Sequence, residues 1–136
     1  MQDKAALIRC ESYDQQEVDR AVAEAFALVG GLSQWIKPGM TVAIKANLLM
    51  KKKPEAFTTT HPAVIEAVAK QVRALGATAV IGDSPGGPFT PALVHGVYRT
   101  CGMEQAAQNA GAVLNEDFEQ VTVYEEKSVV LRQMQL

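Results

Sequence analysis

Aromatic side chains are scarce in this chain, at 6% of 136 residues, so its core has to be packed from Val, Ile, Leu and Ala, the residues of two-sided buried strands and their covering helices. Cysteine is scarcer still. Cys10 and Cys101 stand far apart and in no CxxC spacing, which rules out a zinc site or an iron–sulfur cluster built from this chain alone and leaves two reduced thiols of a cytoplasmic protein as the expectation. No apolar stretch is long enough for a secretory h-region or a membrane span, so no membrane partner is expected. Strong charge of either sign is also missing. A net charge of −2 gives no general attraction to nucleic acid, and the short run Lys51, Lys52, Lys53 reads as a solvated loop. There is no internal repeat, no low-complexity segment, no GxGxxG and no GxxxxGK[ST] phosphate loop.

What the sequence does contain is alternation. Residues 4–10, "KAALIRC", read as a short first strand. Asp14 followed by Glu17 resembles a capping box, and Val18, Val22, Phe26 and Val29 then recur at helical spacing until Gly30 and Gly31. "LSQW" adds one more turn, Pro38 and Gly39 turn the chain, and residues 40–49 form a strand with Val42 and Ile44 on one face. A polar, basic loop from 50 to 60 follows, long enough to suggest a functional segment. Helix two opens at "THP", with Thr60 or His61 as cap and Pro62 in the first turn. Val64, Val68, Val72 and Leu75 are its expected buried face, Glu66 and Lys70 an exposed i, i+4 pair, and Gly76 its end. Residues 77–83 make the next strand. Residues 91–111 are helical with a break signalled by Gly96 or Gly102, 112–114 are a short strand, and 120–124 with 127–132 form a closing pair around Glu125 and Glu126. One α/β domain over residues 1–136 is therefore expected, Rossmann-like, with a mostly parallel sheet, helices on both faces and a C-terminal antiparallel hairpin.

In such sheets ligands bind beyond the carboxyl ends of the strands. Three groups fall there: Lys45 and Asn47 after one strand, Thr58 to His61 before helix two, and Asp83, Ser84, Gly86 and Gly87 after the next, in "IGDSPGGP". Glycines admit backbone N–H groups close to an anion and the helix end adds positive potential, so a small anionic ligand is the class that suits this edge. Each piece also has a structural explanation: the loop as a corner, Asp83 and His61 as caps, Lys45 as a side chain reaching water. His95 lies inside a helical segment, and no Ser-His-Asp, Cys-His or metal-spaced grouping is present.

"VAIKANLL" and "TTTHPAVIEAVAKQVRALGATAVIGDSPGG" resemble the DUF362 family of prokaryotic proteins, closely over residues 40–90. The resemblance implies a longer parent of which this chain is the N-terminal part. Many members carry a ferredoxin-like pair of four-iron clusters, so [4Fe–4S] clusters would belong to the full-length parent, and redox chemistry fed by an iron–sulfur domain is implied there. The remaining half of the parent or a ferredoxin-like protein would be the macromolecular partner. A fold-level similarity to the N-terminal domain of the lactate racemase family carries no catalytic residue. Ala46 stands where the family often has Pro. Lys45, Asn47, Thr60, His61, Asp83, Ser84, Gly86 and Gly87 are the expected ligand-binding set; the alternative is a non-catalytic scaffold that docks an electron-transfer partner.

Overall fold

Helix α1 spans Gln15–Leu28, and its first N–H groups are satisfied by the Asp14 carboxylate, which accepts from Gln16 and Glu17. Glu17 reaches past the cap instead of closing a box on it. Its carboxylate accepts from the Glu11 N–H and the Ser12 hydroxyl, and those bonds hold it below the usual carboxylate range. Gly30 and Gly31, both at positive φ, end the helix. These elements come from a computed structural model that describes residues 4–119, 121–130 and 132–135.

A 3-10 turn at Leu32–Gln34 leads to strand β1, Thr41–Lys45. Helix α2 follows at Pro62–Ala74, then β2 at Thr78–Gly82, α3 at Pro91–Thr100, α4 at Met103–Ala110 and β3 at Val113–Leu114. The break between α3 and α4 falls at Gly102, in the left-handed region, while Gly96 stays inside α3. The three strands form a parallel sheet in the order β1-β2-β3, with Ile44 opposite Ile81 and Ile81 opposite Leu114. Strands β4 (Thr122–Tyr124) and β5 (Gln133–Gln135) pair antiparallel as a separate ribbon.

The α/β class, the parallel sheet and the closing hairpin are as the sequence indicates, and three details differ. Residues 4–10 form no strand. They run beside α1 with Leu7 97% exposed, without the ladder partner that a strand needs. Because that strand is missing, no crossover carries α1 to the second face of the sheet. Helix α1 packs on α2, while α2 and α4 lie on the sheet. Among the described residues the helices therefore cover one face, around Ile44, Ala79 and Ile81. The other face, with Thr41, Ala43 and Val80, opens to solvent over a shallow depression.

The second strand of the closing pair also lies later than expected, while the first falls within 120–124. Residues 127–130 form a turn in which Val129 and Val130 are exposed, and the Glu125 N–H donates to the Arg132 carbonyl; Gln120 and Leu131 of the expected strands lie outside the described residues.

Helix α2 supplies the third difference. It is enclosed by α1, α4 and the sheet, so its buried residues are Ala63, Ile65, Glu66, Ala67, Ala69 and Val72, with Val64 and Val68 only half-buried. Small alanines let neighbouring helices approach closely on more than one side. Glu66 and Lys70 do pair, but between helices. The Lys70 ammonium lies 2.7 Å from Glu66 and 2.7 Å from Asp19 of α1, and the Asn109 amide of α4 donates to Glu66 at 2.8 Å.

Candidate functional site at the sheet edge

The carboxyl ends of β1 and β2 are joined beyond their last residues. The Ala46 N–H donates to the Gly82 carbonyl at 3.1 Å, extending the ladder by one bond. A proline at position 46 could not make it, so the family departure noted in the sequence adds a rung here. Asn47 then enters the left-handed region at φ 50, which Asn tolerates better than most residues. Leu48 returns to the core, fully buried. The Gly86 N–H donates to the Leu49 carbonyl at 3.0 Å, and a β-carbon on Gly86 would stand 3.3 Å from that oxygen. The two loops are thus laced together by their backbones, and glycine permits the approach.

Asp83 sits at the centre of this lacing with its side chain 6% exposed. One carboxylate oxygen accepts from the Leu48 N–H and the other lies 2.8 Å from the Lys45 ammonium. Burial pushes this carboxyl up, but the bonds from Lys45 and from the Leu48 and Ser84 N–H groups outweigh it and hold the group below its ordinary value. The Lys45 ammonium also donates to the Asn47 side-chain oxygen at 2.6 Å. Its side chain nevertheless remains 71% exposed.

This cluster forms the floor of a cleft of about 620 Å³, whose walls carry Leu49, Phe57, Thr58, Thr59, Thr60, Ser84 and Gly86. Phe57 lies in the left-handed region at φ 52, closing a 3-10 turn at Pro54–Ala56. Phe57 and Asn47 are the two non-glycine residues at positive φ among those described, and both line the cleft. Backbone strain of this kind costs energy that the surrounding structure must offset, and it concentrates at ligand sites.

Of the expected residues, the structure brings together Lys45, Asn47, Thr60, Asp83, Ser84 and Gly86. His61 and Gly87 do not line the cleft. The His61 Nδ1 accepts from the Ala63 N–H as the cap of α2, and its ring stacks on Tyr13 at 3.7 Å. Burial there lowers its pKa, an effect that nearby Glu55 opposes. Gly87, at φ 110, packs towards Leu93 of α3. Sequence reasoning did not single out Phe57, and it reached Thr59 only as part of the stretch Thr58 to His61. Thr59 was hidden between two identical neighbours, Thr58 and Thr60, and no local signal marks a left-handed Phe.

Cys101 is buried, and its thiol points at the Met50 and Lys52 carbonyls. Cys10 is exposed. The described residues contain no group of three or more His, Cys, Asp or Glu placed to hold a metal ion. None of the described helices is long and apolar enough to cross a membrane.

The parallel sheet, the laced loops and the cleft at their carboxyl edge define an α/β domain with an open cleft at its sheet edge. The model of the family described as a domain of unknown function, DUF362, matches residues 42–136, and the chain belongs to that family. It is also similar to a thylakoid-associated protein of Synechocystis sp., 33% identical over 85 residues, which are 62% of this chain and 26% of that protein. The matched region thus spans about a quarter of that relative's length. No solved structure matches the chain.

Proposed function

We propose that this domain forms one wall of a cleft for a small anionic ligand, with Lys45 as the ligand's cation. The observation that supports the reading is the position of the Lys45 ammonium. It is held by Asp83 and Asn47 at 2.8 and 2.6 Å, on a side chain that stays largely exposed in a cleft lined by Thr58, Thr59, Thr60 and Ser84. An ammonium has three N–H donors. Two are engaged, which leaves one for an oxyanion. Asn47 and Asp83 would orient the ammonium, while the Thr60 and Ser84 side chains would complete the contact. A small cytoplasmic metabolite is the ligand we favour.

In a longer parent, this wall would face a redox step fed by an iron–sulfur domain; family membership is the sole support for that extension. A second reading is favoured by the open sheet face next to Lys45. On it the domain is a non-catalytic module that docks the rest of a longer parent or a ferredoxin-like partner. Thermal-shift screening against nucleotides, sugar phosphates and small carboxylates separates the two, with Lys45→Ala alongside. Stabilisation of the parent chain that Lys45→Ala lacks supports the cleft, because a ligand that prefers the native state raises its stability by mass action. An equal shift in both proteins sinks the assignment of Lys45.

A further inference from the structure

The loop between β1 and α2 carries the basic triplet, which the cleft does not use. Lys51, Lys52 and Lys53 are exposed and make no ion pair among the described residues. Glu55 is the one acid between Leu49 and Phe57, so this stretch is basic within a chain of net charge −2. Adjacent like charges repel one another, and the triplet therefore works slightly against the fold. Apolar side chains flank it. Leu49, Met50 and Phe57 are 61%, 43% and 76% exposed, and the left-handed backbone of Phe57 is one that glycine or asparagine adopts at lower cost. The loop is also fixed to the body of the domain. The Gly86 N–H donates to the Leu49 carbonyl, the Cys101 thiol points at the Met50 and Lys52 carbonyls, and Lys51 extends towards Gly96 of α3. Such a patch loses little freedom on contact. Two features select its partner. Unneutralised lysines favour negative charge. The patch spans nine residues, whereas a stable protein interface engages about 20–30 on each side. A lipid surface sets no such requirement, since lysines gather at anionic headgroups while apolar side chains enter the acyl boundary. None of the described helices crosses a membrane, and a peripheral contact needs none.

We propose that residues 49–57 are a peripheral contact for an anionic lipid surface, with Lys51, Lys52 and Lys53 at the headgroups and Met50 and Phe57 entering between them. The contact is independent of what the neighbouring cleft binds. Each lysine near such a surface strengthens binding about fivefold, and partial burial of one phenyl ring about tenfold. The test is sedimentation of the full chain with vesicles of phosphatidylcholine alone or of phosphatidylcholine mixed with phosphatidylglycerol. Salt is set at about 0.01 M or about 0.15 M, where the Debye length is about 30 Å or about 8 Å. The proteins compared are the parent chain, the triple variant Lys51→Gln, Lys52→Gln, Lys53→Gln, and Phe57→Asn. Soluble poly-L-glutamate, without vesicles, is the control for an acidic polypeptide.

The parent should sediment with the mixed vesicles at the lower salt, stay in solution with the neutral ones, and be largely released at the higher salt. The triple variant should bind about a hundredfold more weakly and Phe57→Asn about tenfold more weakly. Both should keep the parent's far-UV circular dichroism, because the replaced side chains are exposed. If the triple variant does not, the three single lysine substitutions carry the same test, each with an expected loss of about fivefold. A parent chain that stays in solution with the mixed vesicles at the lower salt overturns the proposal; if it then binds poly-L-glutamate, the patch belongs to an acidic polypeptide. Equal binding to neutral and mixed vesicles, or a triple variant that binds as the parent does, removes charge as the cause and also overturns it. Undiminished binding by Phe57→Asn overturns the entry of the apolar flank.

Discussion

Two lysines of this domain meet carboxylates at similar distances in opposite settings. Lys70 lies between helices, 34% exposed, 2.7 Å from each of two carboxylates, and one of those, Glu66, is itself 8% exposed and further bonded to Asn109. Lys45 lies at the sheet edge, 71% exposed, with one carboxylate and one amide oxygen. At Lys70 the acceptors outnumber the cations and the neighbours close over them. At Lys45 the buried member is the carboxylate, and the ammonium faces outward with donor capacity to spare. A short Lys–carboxylate distance therefore does not by itself identify a site; the informative feature is which partner the fold leaves accessible.

The comparison breaks most visibly at Lys70. Lys70→Met would leave Glu66 in the core and Asp19 beside it without their cation. Removing one partner of a fully buried pair costs about 3–5 kcal/mol. Because Lys70 and Asp19 are each about a third exposed, the expected loss is nearer 2 kcal/mol, read from the urea midpoint at unchanged slope. A loss below about 0.5 kcal/mol would place this cluster with ordinary surface pairs. Asp83→Asn comes next. It keeps an oxygen for the Leu48 N–H but removes the charge that holds Lys45, and about 1 kcal/mol should be lost.

Proton titration sharpens the contrast, because the two clusters fail at opposite ends of the pH scale. Burial pulls the Lys70 ammonium down, but its bonds to Asp19 and Glu66 prevail and raise its pKa above the ordinary 10.5. Its contribution is complete below pH 10.5 and is lost as pH rises through the higher folded value. The Asp83 pKa is depressed below 3.8. Its contribution is complete above pH 3.8 and is lost as pH falls through the lower folded value. Lys70→Met should flatten the alkaline limb of the stability profile and Asp83→Asn the most acidic one. His61, depressed from 6.5, loses its contribution in a separate window just below that value. Glu17, lowered from 4.5, also belongs to the acid limb. An alkaline limb that keeps its shape in Lys70→Met would show that the Lys70 cluster does not set it.

The same contrast explains how much could be read from the sequence. Local signals were reliable where local chemistry decides. Asp14 caps α1, His61 and Pro62 open α2, Gly76 and Gly102 close helices, and Ile44 faces the core. The convergence of Lys45, Asn47 and Asp83 was legible because strand ends in a parallel sheet share one edge. Tertiary enclosure was not legible. Glu66 and Lys70 carry the same i, i+4 signature on the surface or between helices, and only the packing of α1 and α4 on α2 decides which. The segment 4–10 has strand composition but no neighbour to pair with, a non-local fact. Nothing local in the run of three threonines marks Thr59 as the one whose hydroxyl is buried without a partner among the described residues.

The smallest effect on stability should come from the residue expected to matter most for binding. Lys45→Ala removes an ammonium that is mostly in water, and Asp83 keeps its bonds from the Leu48 and Ser84 N–H groups. Exposed ion pairs contribute about 0–1 kcal/mol, and the expected loss lies within that range, smaller than at Lys70 and no larger than at Asp83. Ligand-dependent stabilisation, by contrast, should disappear. Stability and binding are thus separable at Lys45. A Lys45→Ala protein destabilised as much as Lys70→Met would show that the outward-facing lysine is structural after all, and the distinction between the two clusters would collapse.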